Sequence, residues 1–244
     1  MARSRSTGGG SKRTRSKRKA KTDGAQPPPA EAPRRPTIVA LGASAGGLAV
    51  FERFLHLMPR GGNLAFLLVS HLDPSQESLL TELLAQHTAL TVVKAENGAL
   101  IQADHVYVIP PNKYMTVSDG AVQLTTIKEV RGSRFPIDVL LRALAEDQKE
   151  NAVGIIFTGT GSDGTDGLRA IKDNGGTVIV QDPATVEYPG MPTSAIATGL
   201  VDFVLPVDDI PGILLGYARH FYASGLTPPG DSSPPELSVD LRSV

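Results

Sequence analysis

TIVALGASAGGLAVFERFLHLM, residues 37–58, changes its apolar period in the middle. Thr37–Ala43 is β-branched and apolar throughout, as a strand covered on both faces of a sheet must be. Small residues then surround Ser44, giving a tight turn. Beyond the turn Leu48, Phe51, Phe54, Leu55 and Met58 recur at intervals of three and four, one face of a helix. A buried strand, a glycine-rich turn and an amphipathic helix are the opening of an α/β unit.

Working outward, the alternation continues. Leu64–Ser70 is a second unbroken apolar run, and Leu79, Leu80, Leu83 and Leu84 mark a second helix. Leu90–Val93 and His105–Ile109 read as short strands. Tyr114–Val117 and Val122–Ile127 flank Asp119-Gly120, a hairpin signal. Pro136 opens a helix with Ile137, Leu140, Leu141 and Leu144 on one face. Ala152–Thr158 and Thr177–Gln181 are strands around a helix over Thr165–Asn174, which Gly175-Gly176 ends. Val201–Leu205 is a last strand, and Ile210, Leu214, Tyr217 and Phe221 define a last helix. The pattern predicts an α/β fold: a doubly wound, mostly parallel sheet flanked by helices, with a β-hairpin insertion.

Composition bounds the chemistry. The 244 residues contain no Cys, which excludes disulfides, iron–sulfur clusters and a Cys nucleophile and fits a reducing, cytoplasmic setting. No apolar run approaches the ~20 residues that span a bilayer. The net charge of −1 conceals two opposite parts: residues 1–36 hold 11 Lys/Arg against Asp23 and Glu31, and the rest of the chain is acidic by ten charges. The domain organisation expected is a disordered basic tail over 1–36, a folded α/β domain over 37–222 and a loose C-terminal tail over 223–244. The basic tail reads either as a solubilising linker or as a contact for nucleic acid or another polyanion; no aromatic residue is interleaved for base stacking.

Ligands of such sheets bind beyond the carboxyl ends of the strands. Ser44, His71 and Asp163 each follow a strand there, and together they are the parts of an acyl-transfer triad. Gly42-Ala43-Ser44-Ala45-Gly46 matches the G-x-S-x-G nucleophile elbow between strand and helix. A Ser at that place also serves simply as a helix cap. His71 leaves a strand at the rim, whereas His56, His87, His105 and His220 fall elsewhere in helices or at a strand start. Asp166 shares the loop or first helical turn with Asp163, where acids are common for dipole reasons. No metal-ligand spacing is visible, and the acyl chemistry calls for no cofactor.

A rival reading uses Gly159–Gly164, a G-x-G-x-x-G between strand and helix, with Asp182 after the next strand as a ribose-binding acid. Against a dinucleotide, Asp163 and Asp166 would repel the pyrophosphate, and the motif comes late in the chain.

GASAGG (42–47), SHLDP (70–74), HVYVIPPNKYMTV (105–117), FPIDVLLRALAED (135–147), AVGIIFTGTGSDGTDGLRAIKDNGG (152–176) and GMPTSAIATGLVDFVLP (190–206) resemble, in order, the catalytic domain of the CheB-type chemotaxis protein-glutamate methylesterases, in wording closest to the versions fused to a methyltransferase. The resemblance implies Ser44 as nucleophile, His71 as base and Asp163 as third member. It implies hydrolysis of glutamyl γ-methyl esters on methylated chemoreceptor-type signalling proteins, with glutamine deamidation by the same chemistry and a methyltransferase as a candidate partner. Backbone N–H groups at Ala45, Gly46 and Thr160 are the implied oxyanion donors. Ala45 stands where the family commonly has Thr, and Thr160 where it has Met, which keeps the donors and changes the walls. The family's receiver domain is not expected in residues 1–36, which are too short and polar for one. A non-catalytic interaction module retaining the fold is the alternative from another class.

Overall fold

The computed structural model describes residues 35–70, 74–127 and 134–224. The basic tail up to Arg34, His71 and the residues after Ser224 lie outside them, so the expectations for both tails and for His71 find no counterpart here.

The strands are β1 (Thr37–Ala43), β2 (Leu64–Ser70), β3 (Thr91–Lys94), β4 (His105–Val108), β5 (Lys113–Ser118), β6 (Ala121–Thr126), β7 (Val153–Ile156), β8 (Thr177–Gln181) and β9 (Phe203–Leu205). The helices are α1 (Gly47–Leu57), α2 (Pro74–Ala85), α3 (Pro136–Gln148), α4 (Thr165–Asp173), α5 (Gly190–Ile196) and α6 (Ile210–Ser224). Seven strands form one sheet in the order β3-β4-β2-β1-β7-β8-β9, every neighbouring pair parallel. The antiparallel pair β5–β6 stands apart, its Asp119-Gly120 turn held with φ of 53° and 71° at the two residues, as a two-residue hairpin loop of this hand requires.

The unbroken apolar runs at β1 and β2 follow from burial on both faces. Ile38, Ala40, Ala65, Leu67 and Val69 belong to one core layer, with Leu140, Leu144, Leu168, Ile171 and Met191 from α3, α4 and α5. Val39, Leu41, Phe66 and Leu68 belong to the other, with Phe51 and Phe54 of α1, Leu80 and Leu84 of α2 and Leu214 of α6. Phe54 meets the rings of Phe66 and Phe157 at 5.7 and 5.4 Å, pinning α1 to the sheet.

The four leucines at 79, 80, 83 and 84 do mark helix α2, and two other details correct the sequence reading. Of the four leucines of α2, Leu80 and Leu84 are buried, but Leu79 and Leu83 are 54% and 37% exposed. A pair spaced by four lies on one stripe, and its sequence neighbours turn 100° away. The last strand is shorter than expected, beginning at Phe203 rather than Val201. Helix α5 has no counterpart in the sequence reading: its seven residues bury Met191, Pro192 and Ala195, less than two turns and too short for a periodic signal.

Candidate active site

The sheet reverses its winding at β1, which has β2 on one side and β7 on the other. The crevice at such a switch point is where α/β sheets place their ligands. Ser44 leaves the central strand there, the segment with Asp163 leaves β7, and β2 ends at Ser70, in register with Ala43. The topology therefore delivers the chain on either side of Ser44 to one rim.

Ser44 is half-buried. Its N–H donates to the Thr158 carbonyl at 3.0 Å and its carbonyl accepts from Gly47 N–H at 2.9 Å, closing a tight turn. The residue that caps α1 is Gly46, with φ of 75° and no side-chain cap, so Ser44 does not serve as a capping residue. The β7 loop approaches this turn so closely that a Cβ on Gly159 would lie 2.9 Å from Ser44 Cβ and 2.3 Å from Met191 Sδ. Only glycine fits between them. Helix α5, the element without a sequence signal, closes this side: Met191 N–H donates to Gly159 carbonyl at 2.9 Å, and Ser194 Oγ to Gly161 carbonyl at 3.1 Å. Thr160, between those two glycines, is exposed.

The two loop acids occupy different environments. Asp163 is 5% exposed, and its carboxylate accepts the N–H groups of Ile137 and Asp138, both at 3.0 Å. It thus sits on the positive end of α3, whose first residue, Pro136, has no N–H to satisfy. Gly42 makes this possible, since a Cβ there would come within 2.6 Å of Ile137 Cγ2. Asp166 is exposed and pairs with Arg142 at 3.4 Å. Asp138, missed by the sequence reading, is also buried and accepts Gly167 N–H at 2.7 Å. Burial holds its carboxyl above the usual carboxylate range; the Gly167 bond opposes this, and the Asp163 and Asp166 charges add to it.

His71 lies outside the described residues. Three other histidines leave no strand at the carboxyl rim: His56 is near the end of α1, His87 follows α2 and His105 is the first residue of β4, its Nδ1 2.8 Å from the Ala103 carbonyl. His220 is in α6.

Two glycines of the G-x-G-x-x-G segment, Gly159 and Gly164, have packing reasons. Gly159 admits Ser44 and Met191, and a Cβ on Gly164, which has φ of 95°, would lie 2.5 Å from Ile156 Cδ1. Asp182, the ribose-binding candidate, instead accepts Ala184 N–H at 2.9 Å and caps a short turn. Among the described residues no cluster of His, Asp and Glu is placed to hold a metal, and no helix is long and apolar enough to cross a membrane.

Fold and site together define a parallel α/β protein with a serine at its switch point. Residues 39–214 match the family model described as CheB methylesterase. A Leptospira interrogans protein named for protein-glutamate methylesterase and protein-glutamine glutaminase activity is 33% identical over 178 residues, 72% of this chain and 92% of that one. The enzyme named for both activities in Photorhabdus laumondii is 35% identical over 174 residues, 70% of this chain but 49% of its own length. The chain therefore spans about half of that relative. The crystal structure of the Thermotoga maritima CheB methylesterase catalytic domain is similar with a TM-score of 0.69 and 32% identity, covering 75% of this chain and 98% of that one. The chain belongs to the CheB methylesterase family.

Proposed function

We propose that this protein is a cytoplasmic protein-glutamate methylesterase that hydrolyses glutamyl γ-methyl esters of chemoreceptor-type signalling proteins with Ser44, His71 and Asp163. The observation that carries the reading is the Ser44 turn at the switch point, packed against the β7 loop that bears the buried Asp163. Ser44 Oγ attacks the ester carbonyl while His71 takes its proton. The N–H groups of Ala45, Gly46 and Thr160 receive the oxyanion. Collapse of the tetrahedral intermediate breaks the bond to the methoxy oxygen, which leaves as methanol with the proton from His71. Water, deprotonated by His71, then cleaves the acyl-enzyme and frees the carboxylate and Ser44. Asp163 holds the imidazole in the tautomer that accepts at the nucleophile. With a glutamine side chain the same sequence releases ammonia, in keeping with the paired activities in the relatives' names. A methyltransferase partner and a polyanion contact through the basic tail belong to the same proposal.

A fluorophosphonate probe tests it. The proposal expects one adduct, mapped by peptide mass to Ser44. Labelling elsewhere, or none while methanol is still released from a methylated receptor fragment, would contradict it.

A further inference from the structure

Thr158 is the first residue beyond the β7 ladder to meet the Ser44 turn, and it is 5% exposed. All its polar groups are used. Its N–H donates to Gln181 Oε1 at 3.1 Å, a buried side chain at the end of β8. Its carbonyl accepts Ser44 N–H at 3.0 Å. Its hydroxyl lies between two carbonyls, 3.2 Å from that of Ala45 and 3.3 Å from that of Tyr188. A hydroxyl has one proton to give, so the two carbonyls share it. The Thr158 Cγ2 methyl supports the other side of the contact, 3.2 Å from where a Cβ on Gly46 would stand.

The consequence follows from the geometry of a peptide. A trans peptide is planar, with its C=O and the next N–H pointing in opposite directions. Fixing the Ala45 carbonyl on the Thr158 hydroxyl therefore fixes the Gly46 N–H on the opposite side, toward the exposed face of the turn. Gly46 has φ of 75° and no Cβ, so its own conformation does little to hold that plane. We infer that the Thr158 hydroxyl is a positioning group for the oxyanion site: it sets the Ala45–Gly46 peptide so that Gly46 N–H faces the developing oxyanion. Gln181 holds Thr158 in turn. The inference rests on Ser44 being the nucleophile.

Such a donor acts in the transition state rather than on the bound ester, so its loss lowers kcat and leaves KM nearly unchanged. Thr158→Val keeps the methyl that faces Gly46 and replaces the hydroxyl with a second methyl. Thr158→Ser keeps the hydroxyl and removes the methyl. Measured as methanol release from a methylated receptor fragment, Thr158→Val is expected to lose about 10- to 100-fold in kcat with KM within about twofold, as for a donor displaced rather than deleted. Thr158→Ser is expected within about threefold of wild type. Near-wild-type kcat in Thr158→Val overturns the inference, and so does an equal fall in both variants, which would make the effect one of packing at this position rather than of the hydroxyl. Should Thr158→Val fail to fold by circular dichroism, Thr158→Ala against Thr158→Ser makes the same comparison, because those two differ only in the hydroxyl. Ser44→Ala is run alongside: turnover persisting there overturns the nucleophile, a failure distinct from any pattern at Thr158.

Discussion

Asp163 and Asp166 are three residues apart in one sequence motif, yet they carry different burdens. Asp163 accepts two N–H groups of the α3 N-terminus inside the protein, one on each oxygen, whereas Asp166 faces solvent and Arg142. Under the proposed mechanism Asp163→Asn lowers kcat by about 10³- to 10⁴-fold, as loss of a triad carboxylate does. Asp166→Asn costs only a weak dipole interaction, about 0.3–1 kcal/mol of stability, with turnover unchanged. Steady-state rates and urea melts of the two variants decide; a larger loss of activity at Asp166 would reassign the third member. Local pattern puts both acids in this loop without separating them, and only the family resemblance singles out Asp163, because what distinguishes them physically is α3, which begins some 25 residues earlier in the chain. The Ser44 turn was legible for the opposite reason. Its strand, its small residues and its helix are contiguous, so local pattern was enough.

Asp138 shows how elements rather than residues build this site. It links α3 to α4 through the Gly167 N–H, while its own N–H goes to Asp163. Gly167 has no Cβ because one would lie 2.6 Å from Leu141 Cβ, and that close approach brings the two helices into register. The buried carboxyl has a raised pKa, so the folded state holds its proton more tightly than the unfolded chain. Its contribution to stability is therefore greatest below the unfolded pKa and is lost as pH rises through the folded one. Asp138→Asn keeps an oxygen to accept from Gly167 and carries no charge, so its stability relative to wild type is expected to improve as pH rises from about 3 to 7. Asp138→Ala leaves Gly167 N–H without a partner and is expected to lose about 1–3 kcal/mol. Denaturant melts across that range test the sign; a relative stability of Asp138→Asn that falls with pH would contradict it. Elements with strong periodicity were legible in sequence, β1, β2 and α3 among them. Helix α5 was not, since it is held by the loop it covers, through Gly159 and Gly161, rather than by a stripe of its own. The leucines of α2 reported the helix correctly but not the width of its buried stripe, since Leu80 and Leu84 are buried and Leu79 and Leu83 exposed.

At the scale of the molecule, the family match runs over residues 39–214, from β1 into α6. The elements proposed for catalysis all lie beyond residue 36, and the strongly basic stretch lies before it. Deleting residues 1–34 is accordingly expected to leave turnover of a small soluble ester unchanged, while any binding of the chain to a polyanion weakens, as it would on raising salt. A several-fold rise in turnover on deletion would instead make the tail an inhibitor of the site. The central claim is that Ser44 is the nucleophile of a methylesterase, and methanol release from a methylated receptor fragment by Ser44→Ala tests it most directly. With the fold confirmed by circular dichroism, the account predicts a fall of about 10³-fold or more. Retention of a tenth or more of the wild-type rate would contradict it.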